Sequence, residues 1–302
     1  MARTTMARTT TARTIVVAAA QTGPVADPGE AAIVEQATAM IDEARALGAR
    51  LLVFPELFLS PFFANRLVER FERFFQGPDD AAVARIRSHA REAGIGLVLP
   101  LAERAADGFY NTALAIDEQG REVGRYRKTH IPAYFPNERP GGTGSYEKFY
   151  FAPGRELPVF ALCGLRLGIQ ICNDRLYPEA SRVLALAGAE LIAMPIAFST
   201  YADAVQRASI WDVPPRARAY ENGLWVVACN RVGREGAGGP AERVHAGRSL
   251  VVDPMGMIRA EASAEAPQLL AAQIDLDEVE RARSGLAWWR DRRPDLYGPL
   301  VR

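Results

Sequence analysis

Val159-Phe160-Ala161-Leu162-Cys163-Gly164-Leu165-Arg166-Leu167-Gly168-Ile169-Gln170-Ile171-Cys172 decides the fold class. Two apolar runs of strand length flank the Cys163-Gly164 turn, which predicts adjacent strands over Val159–Leu162 and Leu165–Ile171. A helix over Pro178–Ala187 and a strand over Leu191–Met194 follow. Paired strands inside an otherwise alternating order exclude a pure βα barrel. They favour an α/β architecture of two sheets covered by helices.

Working outward, the same logic repeats. Ile15–Ala20 is a buried-strand run, and Asp27-Pro28 opens a helix with a proline in its first turn. Gly48 closes that helix before the strand Leu51–Phe54. A helix within Asp79–Ala93, stopped by Gly94, precedes the strand Ile95–Leu99. Tyr110–Ile116 and Glu122–Tyr126 pair across a turn containing Gly120. Further on, a helix over Ala204–Asn222 leads to the strands Leu224–Ala228, Ser249–Val252 and Leu269–Ile274. Residues 130–155 break the pattern: they are rich in proline, glycine and aromatics and lack a clean period. A long irregular segment inside a compact domain is usually functional.

These signals define one domain over residues 14–282. Residues 1–13, in which Met1–Thr5 repeats as Met6–Thr10, read as a disordered lead-in. Residues 283–302, with Trp288-Trp289, read as an extended tail that packs on something, a second subunit being the candidate.

With 49% apolar residues over 302, the chain can build a large core without metal or disulfide staples. Its 36 basic and 36 acidic residues cancel, so no net field recruits nucleic acid or an acidic membrane. Three cysteines, Cys163, Cys172 and Cys229, with no CxxC spacing, fit neither a disulfide framework nor a zinc site. A reducing, cytoplasmic compartment is the simpler reading. No apolar run approaches the roughly 18 residues a membrane helix needs.

Three strand ends carry candidate chemistry. Cys172, followed by Asn173-Asp174-Arg175, stands at a strand's carboxyl end, where α/β sheets bind ligands. It reads as a nucleophile or as one more buried structural cysteine. Cys163 and Cys229 lack the polar turn behind them and read as structural. Glu56 follows the run Leu51–Phe54 amid Phe54, Leu57, Phe58 and Leu59, a setting suited to a general base; taken alone it reads first as a surface acid on a loop. Lys128 follows the strand ending at Tyr126 and could alone be a solvated lysine.

An acid, a base and a thiol at residues 56, 128 and 172, in that order, resemble the nitrilase superfamily of carbon–nitrogen hydrolases. Phe54-Pro55-Glu56 resembles its glutamate motif, and Tyr126-Arg127-Lys128-Thr129-His130 its lysine motif. Gly168-Ile169-Gln170-Ile171-Cys172-Asn173-Asp174 is similar to its cysteine motif, and Arg218-Ala219-Tyr220-Glu221-Asn222 to a helix-end motif. The resemblance implies a four-layer αββα sandwich, a homodimer or higher homo-oligomer, and no metal or organic cofactor. It also implies a second glutamate in the irregular segment. Tyr146-Glu147-Lys148-Phe149-Tyr150-Phe151 places that role on Glu147.

The implied mechanism has Glu56 taking the Cys172 proton, and Lys128 with the Asn173 N–H stabilising the oxyanion. The small-molecule substrate is expected to be an N-carbamoyl compound, hydrolysed to amine, carbon dioxide and ammonia. Cys172-Asn173-Asp174-Arg175 resembles the N-carbamoyl amino-acid amidohydrolases, and Arg175 can grip a carboxylate. Leu176 stands where that group carries a second arginine. Tyr146–Phe151 instead resembles the N-carbamoylputrescine amidohydrolases, whose substrate is cationic. Arg175 could also merely pair with Asp174, Glu179 or a neighbouring helix, and His130 either lines the pocket or is structural. A simple aliphatic amidase is the enzymatic alternative. An inactive binding or assembly relative is the other, disfavoured because all four candidate residues are present.

Overall fold

The computed structural model describes residues 12–25, 30–77, 79–132, 145–200, 209–235 and 243–301. The lead-in is described only from Ala12, and residues 133–144 of the irregular segment lie outside these residues. Arg13, the last residue of the lead-in, is held: its guanidinium pairs with Glu190 at 2.8 Å.

Two six-stranded sheets carry the fold. The first comprises β1 (Thr14–Gln21), β2 (Leu51–Val53), β3 (Gly96–Ala105), β4 (Gly108–Ile116), β5 (Glu122–Arg127) and β15 (Gln268–Asp275), in the order β15-β1-β2-β3-β4-β5. The second comprises β6 (Val159–Leu162), β7 (Leu165–Ile169), β8 (Leu191–Pro195), β10 (Trp225–Cys229), β13 (Leu250–Val252) and β14 (Ile258–Glu261), in the order β14-β13-β10-β8-β7-β6. In each sheet three central strands run parallel, β1-β2-β3 and β10-β8-β7, with antiparallel strands outside them. A small third sheet joins β9 (Ser199–Thr200), β12 (Arg243–Ala246) and β11 (Val232–Glu235).

Alternation along the central strands explains why they read as continuous apolar runs. Val17 and Ala19 of β1 face the core between the sheets, where they meet Ile169, Ala193 and Val227. Ala18 and Ala20 face outward onto α1 (Glu30–Ala46) and α2 (Ala81–Ala93), through Ile33, Ala37, Ile41, Val83 and Ile86. In the second sheet Ile192, Met194, Val226 and Ala228 pack against α4 (Pro178–Leu186) and α5 (Val213–Asn222), through Leu184, Ala185 and Ala219. Both faces of each sheet are covered there, so the buried middle stretches of the central strands are apolar at successive positions. The result is the four-layer αββα sandwich.

Several boundaries differ from the sequence reading. α5 starts at Val213, because Pro214 and Pro215 lack the N–H an interior helical turn must supply and so belong to the first turn. Residues 204–208 of the expected helix Ala204–Asn222 lie outside the described residues. Gly223, at φ +55°, ends α5. β3 runs through Pro100 to Ala105, since its edge is completed by a nine-residue pairing with β4. The third sheet and the single turn α3 (Glu147–Tyr150) lack a sequence signal, being too short to show a period. The tail is not extended: it closes α6 (Asp277–Gly285) and then coils into α7 (Ala287–Arg290) and two 3₁₀ turns. Arg182 and Arg283 lie over the Trp289 ring at 5.1 and 4.8 Å, so the tail is stapled to its own chain at that point.

Two glycines test the packing that holds the site's strands. The Gly154 N–H donates to Lys128 O at 2.8 Å, and a Cβ there would lie 2.1 Å from the Arg127 carbonyl oxygen. Gly154→Ala is expected to destabilise by about 1–3 kcal/mol through forced backbone movement. Gly285, with nothing within 4 Å of an added Cβ, ends α6. Gly285→Ala should be neutral or stabilising by up to about 1 kcal/mol. Urea unfolding of the two variants checks this, and equal effects would contradict it.

Candidate active site

The parallel strands of both sheets deliver their carboxyl ends to one place. Glu56 lies just past β2 of the first sheet, and its Oε2 accepts the N–H of Ala197, just past β8 of the second, at 3.1 Å. Glu56 Oε1 accepts from Asn111 Nδ2 at 2.8 Å and from Lys128 Nζ at 2.7 Å. Lys128 follows β5 and is anchored by its N–H to Asn111 O at 2.8 Å. Its ammonium also donates to Glu147 Oε2 at 2.6 Å. Glu147 opens α3, and its other oxygen accepts from Ser145 Oγ at 3.0 Å. All three charged side chains are buried.

A buried ammonium ordinarily loses its proton, and burial does act that way on Lys128. The carboxylates of Glu147 and Glu56 outweigh it and hold the group well above the usual lysine range. Lys128 is therefore a fixed cation at neutral pH. Burial pushes the Glu147 carboxyl up, against the pull of Lys128, and Glu56 adds to the push.

Cys172 ends the run from β7 and opens the 3₁₀ turn Cys172–Leu176. Its φ of +45° is left-handed, a conformation that costs a non-glycine residue and clusters at functional sites. The turn is closed by Asp174, whose Oδ2 accepts the Ile171 N–H at 2.9 Å while its own N–H reaches Ile171 O at 3.0 Å. Burial, then the Glu56 carboxylate, push the Cys172 thiol up to about 12, against the pull of Lys128 and Arg175. The Asn173 N–H falls in the first turn of this short helix, where donors have no intrahelical acceptor.

Asp174 does more than close the turn. It accepts Tyr126 Oη at 2.7 Å, Thr129 Oγ1 at 3.2 Å, and the His130 N–H and Nδ1 at 2.9 and 2.8 Å. The cysteine turn is thereby locked to the segment carrying Lys128. His130 is held by that carboxylate, and its ring stacks on Tyr177 at 3.9 Å.

Arg175 is 6% exposed. It pairs with neither Asp174 nor Glu179; among the described residues it has no carboxylate within ion-pair reach. Nη1 donates to Cys172 O at 2.6 Å and stands 3.6 Å from Sγ, and Nε has no hydrogen-bond partner. The guanidinium lies 5.3 and 5.7 Å from the Phe198 and Trp211 ring centres. Arg218, from the helix-end motif, holds the Arg175 carbonyl through Nε at 3.0 Å.

Four contributors escaped the sequence reading: Asn111, Ser145, the Ala197 N–H and Asp174. Asn111 did leave a trace, as a polar residue inside the apolar run Tyr110–Ile116. Asp174 stands three residues after Ile171, the spacing at which a side chain can cap a turn. A main-chain N–H has no such signature.

Among the described residues, no group of three or more His, Cys, Asp or Glu could hold a metal ion. The carbon–nitrogen hydrolase family model matches residues 16–284. The N-carbamoylputrescine amidase of Arabidopsis thaliana is 34% identical over 275 residues, covering 89% of each chain. The citrullinase of Francisella tularensis is 31% identical, covering 84% of this chain and 87% of its own. A carbon–nitrogen hydrolase from Helicobacter pylori superimposes with a TM-score of 0.86 at 29% identity, covering 96% of this chain and 98% of its own. With a family match over most of its length and relatives above 30% identity, the chain belongs to the carbon–nitrogen hydrolases of the nitrilase superfamily and is an amidohydrolase.

Proposed function

We propose that the protein hydrolyses an N-carbamoyl compound bearing a carboxylate, through a covalent intermediate on Cys172. The observation that carries the chemistry is the buried Glu56–Lys128–Glu147 cluster beside a cysteine in a left-handed turn. With the thiol pushed up to about 12, little of it is ionised at pH 7, so attack requires a base at hand. Glu56 takes the thiol proton as sulfur bonds to the carbamoyl carbon. The oxyanion forms against the Lys128 ammonium and the Asn173 N–H. Glu56 returns the proton to the terminal nitrogen, the C–N bond breaks and ammonia leaves. Water, deprotonated by Glu56, then releases the thiocarbamate as a carbamic acid, which decomposes to amine and carbon dioxide. Glu147 keeps Lys128 charged and aimed.

Substrate class turns on Arg175. A buried guanidinium with an idle Nε and no carboxylate partner among the described residues is suited to an incoming carboxylate. A cationic end placed there would meet like charge. Citrulline, named in the Francisella relative, carries both a carbamoyl group and a carboxylate, whereas N-carbamoylputrescine carries an amine. His130, held by Asp174 and stacked on Tyr177, braces the cysteine turn beside the substrate.

A homo-oligomer and a cytoplasmic setting complete the reading. Val213, Tyr220 and Met255 line one exposed apolar depression, and Val183 and Leu186 of α4 are exposed as well; a second subunit would cover such a surface. Three free thiols suit a reducing compartment. No helix among the described residues is long and apolar enough to cross a membrane.

Ammonia release measures the core of this proposal. Cys172→Ala should abolish turnover with the fold intact, and Glu56→Gln and Lys128→Ala should each lose a factor of roughly 10² or more. More than a few per cent residual activity in Cys172→Ala sinks the nucleophile assignment. Alkylation of Cys172 adds a pH test. Removing Glu56 takes away one cause of the raised thiol but leaves burial, the larger one, so in Glu56→Gln the rate should still climb with pH from 7 to 10. A flat profile would show that the thiol is already ionised.

Arg175→Leu discriminates the substrate. It should raise KM far more for N-carbamoyl amino acids than for neutral amides, while loss of the bond to Cys172 O lowers kcat on both alike. Equal changes of KM on both classes, or a wild-type preference for carbamoyl amines, would reject the carboxylate role and move the weight to a cationic substrate.

A further inference from the structure

Arg231 is fully buried at the carboxyl end of β10, in the second sheet, yet it hydrogen-bonds to no carboxylate among the described residues. Its partners are main-chain carbonyls of the first sheet's Glu56 loop. Nε reaches Glu56 O at 3.3 Å, and Nη2 reaches the carbonyls of Glu56, Leu57 and Ser60 at 3.0, 2.6 and 2.9 Å. Those carbonyls point inward because Leu57 is left-handed, at φ +52°, and folds the loop back on itself. Buried carbonyls without donors are costly, so this loop conformation persists only while something satisfies them. A planar fork can serve several carbonyls at fixed angles; a lysine's single ammonium cannot reproduce that geometry.

Asn230, the neighbouring residue, works on the other half of the same contact. Its Oδ1 accepts the Phe198 N–H at 2.9 Å, and Phe198 adjoins Ala197, whose N–H bonds Glu56 Oε2. Asn230 thus places the donor while Arg231 places the acceptor's backbone. Further along, Glu235 Oε1 accepts the Phe62 N–H at 2.6 Å, fixing the far end of the Glu56 loop.

We infer that Arg231 is a positioning residue that aims the Glu56 carboxylate by clamping the carbonyls of its loop. The inference rests on Glu56 acting as the base, so the test must separate the two. R231K and R231M are compared with E56Q and with R231K/E56Q, in the full chain, with thermal midpoints measured alongside. Turnover is read as ammonia release from N-carbamoyl amino acids, and Cys172 reactivity as alkylation by iodoacetamide.

R231K should lower kcat by roughly 10²-fold, the scale of a misplaced catalytic group, with KM within about threefold. Its alkylation rate should fall to that of E56Q, and R231K/E56Q should be no slower than E56Q alone, since both act through one carboxylate. If R231M fails to fold, R231K still decides, because it keeps the buried charge and loses the fork. Wild-type kcat in R231K, a loss confined to KM, or an equal slowing of alkylation on the E56Q background would each overturn the positioning role. Near-normal turnover in E56Q itself would instead remove the base assignment, visibly and independently of any Arg231 variant.

Discussion

Burying Lys128 is the constraint around which the rest of the molecule is arranged. An ion taken out of water loses on the order of several kcal/mol of solvation even after relaxation, and only close, well-formed partners recover it. Lys128 has two, Glu56 Oε1 at 2.7 Å and Glu147 Oε2 at 2.6 Å, and each carboxylate has further donors of its own. Lys128 stays charged at that depth because the two carboxylates outweigh the cost of burial. The cluster is therefore stable only as a unit, and the three segments that supply it must be held in register.

The sandwich provides that register. Glu56 and Lys128 stand past β2 and β5 of one sheet, while Cys172 and Ala197 stand past β7 and β8 of the other. Packing of the two apolar faces, Val17, Ala19 and Val53 against Ile169, Ala193 and Val227, sets how far apart these ends lie. Polar ties then fix the detail: Asp174 binds the cysteine turn to the lysine segment, and Asn230-Arg231 binds the glutamate loop to the second sheet. Burial and the negative charge of Glu56 and Glu147 raise the thiol, so the cluster proposed to stabilise an oxyanion also suppresses a resting thiolate. On the proposed mechanism the thiol ionises only as a base takes its proton during attack, which protects it from reacting idly.

By itself the chain determined the layer architecture, because period and punctuation are local: apolar runs of strand length, helices begun by proline and stopped by Gly94, and the Cys163-Gly164 turn that reveals paired strands. It also determined the chemistry on offer, since Glu56, Lys128, Glu147 and Cys172 are marked by short local words around strand ends. Tertiary structure alone decided what those residues touch. The Ala197 N–H on Glu56, the four donors that Asp174 gathers from Tyr126, Thr129 and His130, and the three carbonyls under Arg231 join positions tens to more than a hundred residues apart. Arg175 shows the division most plainly. Sequence allowed it an ion pair with Asp174 or Glu179 as readily as a place in the pocket, and only packing between Phe198, Trp211 and the Cys172 turn left its guanidinium beside the thiol. The physical reason is that propensity and periodicity act over a few residues, whereas hydrogen-bond partners are chosen by which strand ends the two packed sheets bring together.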